Sequence, residues 1–439
     1  MLSFLMKLAI QNIFLEKIPE YPFFLIYSPL SGGASILHET LAADFSMGKK
    51  SEELQTLIAS LSEDTLDSAI PSREETVSQL GVLYVIPNFK CNFRCTYCYA
   101  AEARNSQEIS EDQLHDGIRV FLRTSRCSRI KICFMGGGEP LLSWSRIHQT
   151  LPTLRDISDK QIELSVITNG SILNDDFMAD CHDFHIQCNV SFDILEKWQE
   201  KQRGCFFLVR NNIQTLLDQG IRVRLRATIT PDSVHDQRRM IEEVFARWMT
   251  QTSLIFEPVI SAKLLPDADS AKRFFSDYYL HYTEAARFAD SKGIKLQNSF
   301  IRALEDVQGR FCRNLLTLLP NGQLIRCPCF ASPDVLPAIT DDSNYMGKIA
   351  GDELTITESG RKNFLPTVNR FRECETCIAK WHCAGGCEHN RREYSPEIFM
   401  EICRLMRRFT MDAVMRKLDV QYRSRGYGGI FEIMEKSEK

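Results

Sequence analysis

Lys90-Cys91-Asn92-Phe93-Arg94-Cys95-Thr96-Tyr97-Cys98-Tyr99 follows directly on the β-rich run VLYVIPN at 82–88. Its Cys-x3-Cys-x2-Cys spacing sets three thiols on one loop at the end of a predicted strand. Three thiolates are enough to hold three irons of a 4Fe-4S cluster and leave the fourth iron open, as a catalytic centre requires. Zinc is the competing occupant, but a structural zinc site closes with four ligands and this loop supplies three.

Outward from this loop the chain repeats one unit. Short β-rich runs at 82–88, 129–135, 162–168, 186–192, 221–229 and 253–259 alternate with helical patterns such as 111–124, 144–156, 206–219 and 236–248. Six β/α units in order predict an α/β fold, a parallel sheet curling into a partial (β/α)6 barrel. Ligands of such sheets sit at the carboxyl ends of the strands, where the cysteine loop falls. Residues 1–80 lie outside this rhythm and read as a small α+β domain. It has strand-like runs around Ile10–Ile18 and Pro22–Pro29, a Ser31-Gly32-Gly33 turn and a polar helix around 52–62. Beyond residue 300 the chain is rich in loops and cysteines, and a basic helical tail follows Cys403.

Composition narrows the function. A chain of 439 residues with 44% hydrophobic and 25% charged residues is an ordinary globular one. Its formal charge of −4 provides no basic excess for nucleic acid. No apolar run approaches the ~20 residues of a membrane span. Met1–Lys7 lacks the charge order and cleavage site of an export signal, so a cytoplasmic protein with reduced thiols is expected. Clustered cysteines there usually hold metal, and this chain has 16.

The loop, with Tyr97 before its last cysteine, resembles the signature of the radical S-adenosylmethionine (SAM) superfamily. The resemblance implies that SAM binds the open iron through its amino and carboxylate groups. An electron from the cluster then cleaves it to methionine and a 5′-deoxyadenosyl radical. The run Met135-Gly136-Gly137-Gly138-Glu139-Pro140, at the second strand end, is similar to the family's GGEP motif. By that likeness Gly137, Gly138, Glu139 and Pro140 belong to the SAM site, where glycines let backbone approach a ligand closely. Asn169, Ser191, Asp193 and Arg203 resemble places where relatives hold the SAM ribose and carboxylate. Arg226, Glu257 and Pro258 lie at later strand ends and are candidates to face the substrate.

The C-terminal third is similar to the SPASM pattern, a domain with two auxiliary iron–sulfur clusters. Cys312 is followed by Gly322, Cys327 and Cys329, and then by Cys374-x2-Cys377-x5-Cys383-x3-Cys387 and Cys403. The likeness implies an outer cluster on Cys374, Cys377, Cys383 and Cys403, and an inner one on Cys312, Cys327 and Cys387. Relatives draw the fourth inner ligand from a cysteine just before the one matching Cys312. None stands there, so either Cys329 completes the inner cluster or an iron stays open. Cys127, Cys133, Cys181, Cys188 and Cys205 have no metal spacing and read as small buried hydrophobes. The expected organisation is 1–80 N-terminal, 81–300 radical SAM core, 301–403 SPASM domain and 404–439 helical tail.

Enzymes with this pattern mostly modify peptides or proteins. One branch installs thioether or carbon–carbon crosslinks in ribosomally made precursor peptides, whose leader is captured by an N-terminal domain through β-augmentation. Such enzymes take electrons from an external donor such as flavodoxin or ferredoxin. The other branch, anaerobic sulfatase maturation, makes formylglycine; there an aspartate follows the cysteine matching Cys327. Pro328 stands in that place and cannot take a proton. A non-catalytic electron carrier, the reading from another class, would need neither an open iron nor a SAM motif. The sequence leaves the substrate and the bond formed open.

Overall fold

The computed structural model describes residues 12–49, 51–62, 76–154, 160–312, 314–331 and 344–437. Strands β4 (Val82–Val85), β5 (Arg129–Phe134), β6 (Gln161–Thr168), β7 (Gln187–Ser191), β8 (Val223–Ile229) and β9 (Ser253–Pro258) pair in that order, all parallel. β10 (Leu296–Gln297) lies beside β9, so the sheet is open: a partial barrel, with helices between its strands. Each expected strand forms within three residues of its predicted limits. The expected helix 144–156 runs Trp144–Thr150 before a tighter turn at Leu151–Thr153, and its last two residues lie outside those described.

Local chemistry explains why the helices start and pack where they do. Ser110 accepts the Gln113 N–H while the Gln113 side chain accepts the Ser110 N–H, and this capping box opens the helix Glu111–Thr124. Its Leu114, Ile118 and Phe121, spaced four and three apart, form one buried stripe. Burying each is worth about 1.5–3 kcal/mol. Leu83 and Val85 of β4 are fully buried while Tyr84 between them is half-buried, so alternate residues of the strand face opposite sides of the sheet. Pairing then lines up Tyr84, Cys133 and Ser165 across β4, β5 and β6, and Ser191 with Arg226 across β7 and β8.

The sheet continues past the barrel. β11 (Leu315–Leu318) joins β4 in parallel, and β12 (Gln323–Ile325), β13 (Tyr345–Ala350) and β14 (Glu353–Ile356) extend it antiparallel. The region beyond residue 300 is thus built onto the barrel sheet. The expected boundary after Cys403 falls inside a single helix, Pro396–Ser424.

The N-terminal region has its own antiparallel sheet in the order β1 (Phe14–Lys17), β2 (Phe23–Ser28), β3 (Gly33–His38). Helices Glu39–Ser46 and Glu52–Ser62 pack on it. The start of the expected run Ile10–Ile18 lies outside the described residues. Phe23–Tyr27, within the expected run Pro22–Pro29, form the central strand and so no pairing edge, and Leu25 is fully buried. Among the described residues β1 and β3 are the edges of this sheet. No helix among the described residues is long and apolar enough to cross a membrane.

Candidate functional site

The cysteine loop is held by the second strand end. Gly138 N–H donates to the Asn88 carbonyl at 3.0 Å and Glu139 N–H to that of Lys90 at 2.6 Å. Asn88, fully buried, donates to the Glu139 carbonyl and to Ser143 Oγ. The approach is so close that a Cβ on Gly138 would lie 1.8 Å from the Lys90 oxygen. Gly136 and Gly137 take φ of +71° and +62°, a conformation that favours glycine.

Around this junction lies a cavity of about 450 Å³. Cys91, Cys95 and Cys98 line it with Gly136–Glu139, Tyr97, Asn169, Ser191 and Arg203, and Arg226, Glu257 and Pro258 also reach it. Burial raises the Cys95 thiol pKa; Arg203 opposes this, and Cys98 and Cys91 add to it. Thiols gathered on one loop at the cavity wall suit a cation, because metal binding takes them as thiolates. No three His, Cys, Asp or Glu side chains among the described residues gather at the spacing of a single metal ion. Thiols on separate corners of an iron–sulfur cube need no such convergence.

Two expected SAM contacts stand behind the wall. Pro140 is buried at the start of a short turn and lies outside the cavity lining. Asp193 is fully buried: it accepts from Tyr97 Oη at 2.6 Å, Arg203 Nε at 3.2 Å and Thr228 N–H at 3.0 Å. It therefore positions Tyr97 and Arg203 rather than meeting a ligand. Arg203 also lies over the Tyr97 ring and reaches within 3.9 Å of Cys95 Sγ. The Glu139 carboxylate is likewise occupied, by Thr168 Oγ1, Asn169 N–H and Leu141 N–H. Burial pushes its pKa up to about 6 against those donors. What the glycine motif offers a ligand is the backbone of Gly136–Gly138.

The far wall of the cavity comes from the C-terminal region, including Cys329, Cys383, Cys387, His389 and Cys403. Cys374, Cys377, Cys383 and Cys403 form one group; burial first, then Cys377 and Cys403, pushes Cys374 up to about 12. Arg407 Nε donates to Cys377 Sγ at 3.3 Å. Cys312, Cys327 and Cys387 line a second cavity of about 510 Å³. Cys329 hydrogen-bonds Cys327 but lines the first cavity, so it stands between the two. Of the five other cysteines, Cys133, Cys181 and Cys188 are buried. Cys127 is half-buried and Cys205 exposed, against expectation; Cys205 follows Gly204 in a turn that opens a helix at φ +57°. His389, set between Tyr99 and Phe330, carried no spacing signal in the sequence.

An open parallel barrel with a three-cysteine loop at one strand end and a glycine-rich backbone cradle at the next is the arrangement expected of a radical SAM domain. Residues 85–244 match the model of the radical SAM superfamily. Those residues thus carry a radical SAM domain. The chain is similar to the radical SAM cyclopropyl synthase TigE of Paramaledivibacter caminithermalis, 23% identical over 33% of this chain and 34% of that one. It is also similar to a serine-type anaerobic sulfatase-maturating enzyme of Klebsiella aerogenes, 22% identical over 68% of this chain and 76% of that one. The match thus spans about a third of TigE's length. Among solved structures, AdoMet-bound anSMEcpe aligns with a TM-score of 0.61 at 14% identity, over 76% of this chain and 98% of that one. Streptococcus suis SuiB bound to its precursor peptide SuiA aligns at 0.54 and 14%, over 88% and 97%. At these identities the likeness concerns the fold.

Proposed function

We propose that this chain is a peptide maturase that uses SAM to abstract hydrogen from a ribosomally made precursor and install a thioether or carbon–carbon crosslink. One observation carries this reading: a single cavity is walled on one side by the three-cysteine loop and glycine cradle, and on the other by the C-terminal cysteine region. A substrate group there is enclosed between the two cysteine sets. When bound, the loop cluster and SAM supply a carbon-centred radical, and the auxiliary clusters supply electron transfer. The loop thiols hold the first cluster and leave one iron to SAM. Gly136–Gly138 accept the SAM ammonium through their carbonyls, and Ser191 and Arg203 hold its polar end. Arg203 is fixed for that work by Asp193. The outer cluster falls to Cys374, Cys377, Cys383 and Cys403. The inner one falls to Cys312, Cys327 and Cys387, with Cys329 as fourth ligand.

The N-terminal sheet supplies leader recognition. Strand β3 is an edge, and a groove beside it is lined by Ile36, Leu37, Leu41, Leu54 and Leu57. An extended peptide pairs with such an edge through its backbone and sets apolar side chains into the groove. That SuiB is titled as bound to a precursor peptide supports the reading, since its alignment covers 88% of this chain. Formylglycine formation remains the second reading, favoured by the Klebsiella relative's length of match. Pro328 opposes it, because it offers no base beside Cys327.

The test is anaerobic incubation with SAM, dithionite and peptides encoded beside the gene, read by mass spectrometry. A crosslinked product loses two hydrogens and fails to react with hydroxylamine. A hydroxylamine-reactive aldehyde would give the reaction to the second reading.

A further inference from the structure

The barrel holds more cationic side chains than the protein itself neutralises. On β8 alternate residues Arg224, Arg226 and Thr228 are half-buried while their neighbours are buried, so all three share one face. Register sets Ser191 beside Arg226 and Glu257 beside Thr228. Glu257 is already engaged, by Arg302 Nη2 at 3.0 Å and the Ser299 N–H at 3.1 Å. Arg203 has Asp193, and Glu139 is satisfied by three donors. Arg224 donates to Ser253 Oγ at 3.1 Å; burial, then Arg302 and Arg226, lowers its pKa. Arg104 also reaches the cavity, on the cluster side, where its charge acts on the Cys91 thiol.

Arg226, like Arg104, lines the cavity with no carboxylate among the described residues within ion-pair distance, but it stands on the barrel side rather than the cluster side. It sits two residues deeper along β8 than Thr228, which Arg203 Nη2 approaches at 3.4 Å. Arg203 thus occupies the cluster side, and Arg226 faces the interior near Tyr84 and Cys133. A guanidinium presents a rigid fork of donors that fits a carboxylate in two parallel hydrogen bonds. Held in a cavity without a counter-charge, it is costly until an anion arrives.

We propose that Arg226 receives a carboxylate of the peptide substrate, an Asp or Glu side chain drawn into the barrel with the residue that reacts. This rests on the peptide-maturase reading and specifies the substrate's chemistry. The one other carboxylate expected in the cavity belongs to SAM, and the experiment separates the two.

Full-length reconstituted protein, immobilised anaerobically with SAM, is offered an equimolar pool of acetylated, amidated hexapeptides. They differ only at one central residue: Glu, Asp, Gln, Asn or Lys. Retained peptides are counted by mass spectrometry, and SAM affinity, iron content and circular dichroism are measured alongside. Wild type should hold the Glu and Asp peptides about tenfold better than Gln and Asn, the order expected of one charge-assisted pair. Arg226→Gln should flatten that ratio, and Arg226→Lys should restore part of it. An unchanged ratio in Arg226→Gln, or no acidic preference in wild type, overturns the proposal. So does a tenfold loss of SAM affinity in Arg226→Gln with the peptide ratio intact, which would give the guanidinium to the cofactor. Failure of wild type to retain any of the five above a blank resin also overturns this proposal, while the peptide reading itself stands or falls with the precursor assay above.

Discussion

Both ends of the cavity gather cysteines, but they do so by different means. The loop Lys90–Tyr99 takes all three thiols from eight consecutive residues, Cys91–Cys98, and the barrel's own hydrogen bonds hold that loop. Asn88 ties it to Glu139, and Asp193 fixes Tyr97 and Arg203 beneath it. The C-terminal set runs from Cys312 to Cys403 and is carried mostly by short turns and four-residue pieces such as Lys380–Cys383, with Cys403 on the long helix Pro396–Ser424. The buried Cys374 and half-buried Cys403 thiols, both with raised pKa, sit among them. On the proposed assignment, metal would complete a preformed site in the barrel but would complete the fold itself in the C-terminal region.

The largest expected effect follows directly. Chelating iron from the protein should strip amide protection from residues 345–403 while β4–β9 stay protected, as hydrogen exchange would record. Equal loss in both regions would break the comparison. Next in size is Asp193→Asn, which leaves buried Arg203 without its counter-charge. It should cost about 3–5 kcal/mol in denaturant unfolding and weaken SAM binding together. Gly138→Ala forces a Cβ against the Lys90 carbonyl and should cost about 1–3 kcal/mol while disturbing the loop cluster's spectrum. Leu57→Asp in the β3 groove should weaken precursor binding about tenfold, or about 1.4 kcal/mol, by isothermal titration.

The smallest is a pH effect on the barrel's outer face. Asp180 accepts from His148 at 3.0 Å, and this hydrogen bond raises the His148 pKa above its ordinary 6.5. A raised histidine stabilises the fold fully below 6.5, and that stability is lost as pH rises through the folded-state value. His148 is half exposed, so His148→Gln should remove less than about 1 kcal/mol, and only on the acid side.

Much of the barrel was legible because each parallel strand is a local apolar run and each helix a local stripe. The loop thiols were legible from spacing and the two C-terminal sets from resemblance, and in the structure thiols of each set lie close enough to act on one another's charge. What stayed hidden depends on partners distant in sequence. β3 and the helix Glu39–Ser46 carry weak alternation and form because β2 pairs beside them. β11 is four residues long and becomes a strand by adding to β4. Pro140 and Asp193 sit within motifs whose other members face the cavity, and only the turn geometry sets them behind it. Cys329 follows Cys327 by two residues, yet a short turn points it toward the other cavity.

The central claim is that Cys91, Cys95 and Cys98 are the centre of SAM cleavage. It is tested most directly by replacing all three with Ala and measuring 5′-deoxyadenosine formed anaerobically from SAM and dithionite, with iron content alongside. The account predicts no 5′-deoxyadenosine and loss of about a third of the iron, four atoms of roughly twelve, with the C-terminal clusters retained. Formation of 5′-deoxyadenosine at the wild-type rate in that triple variant would contradict it.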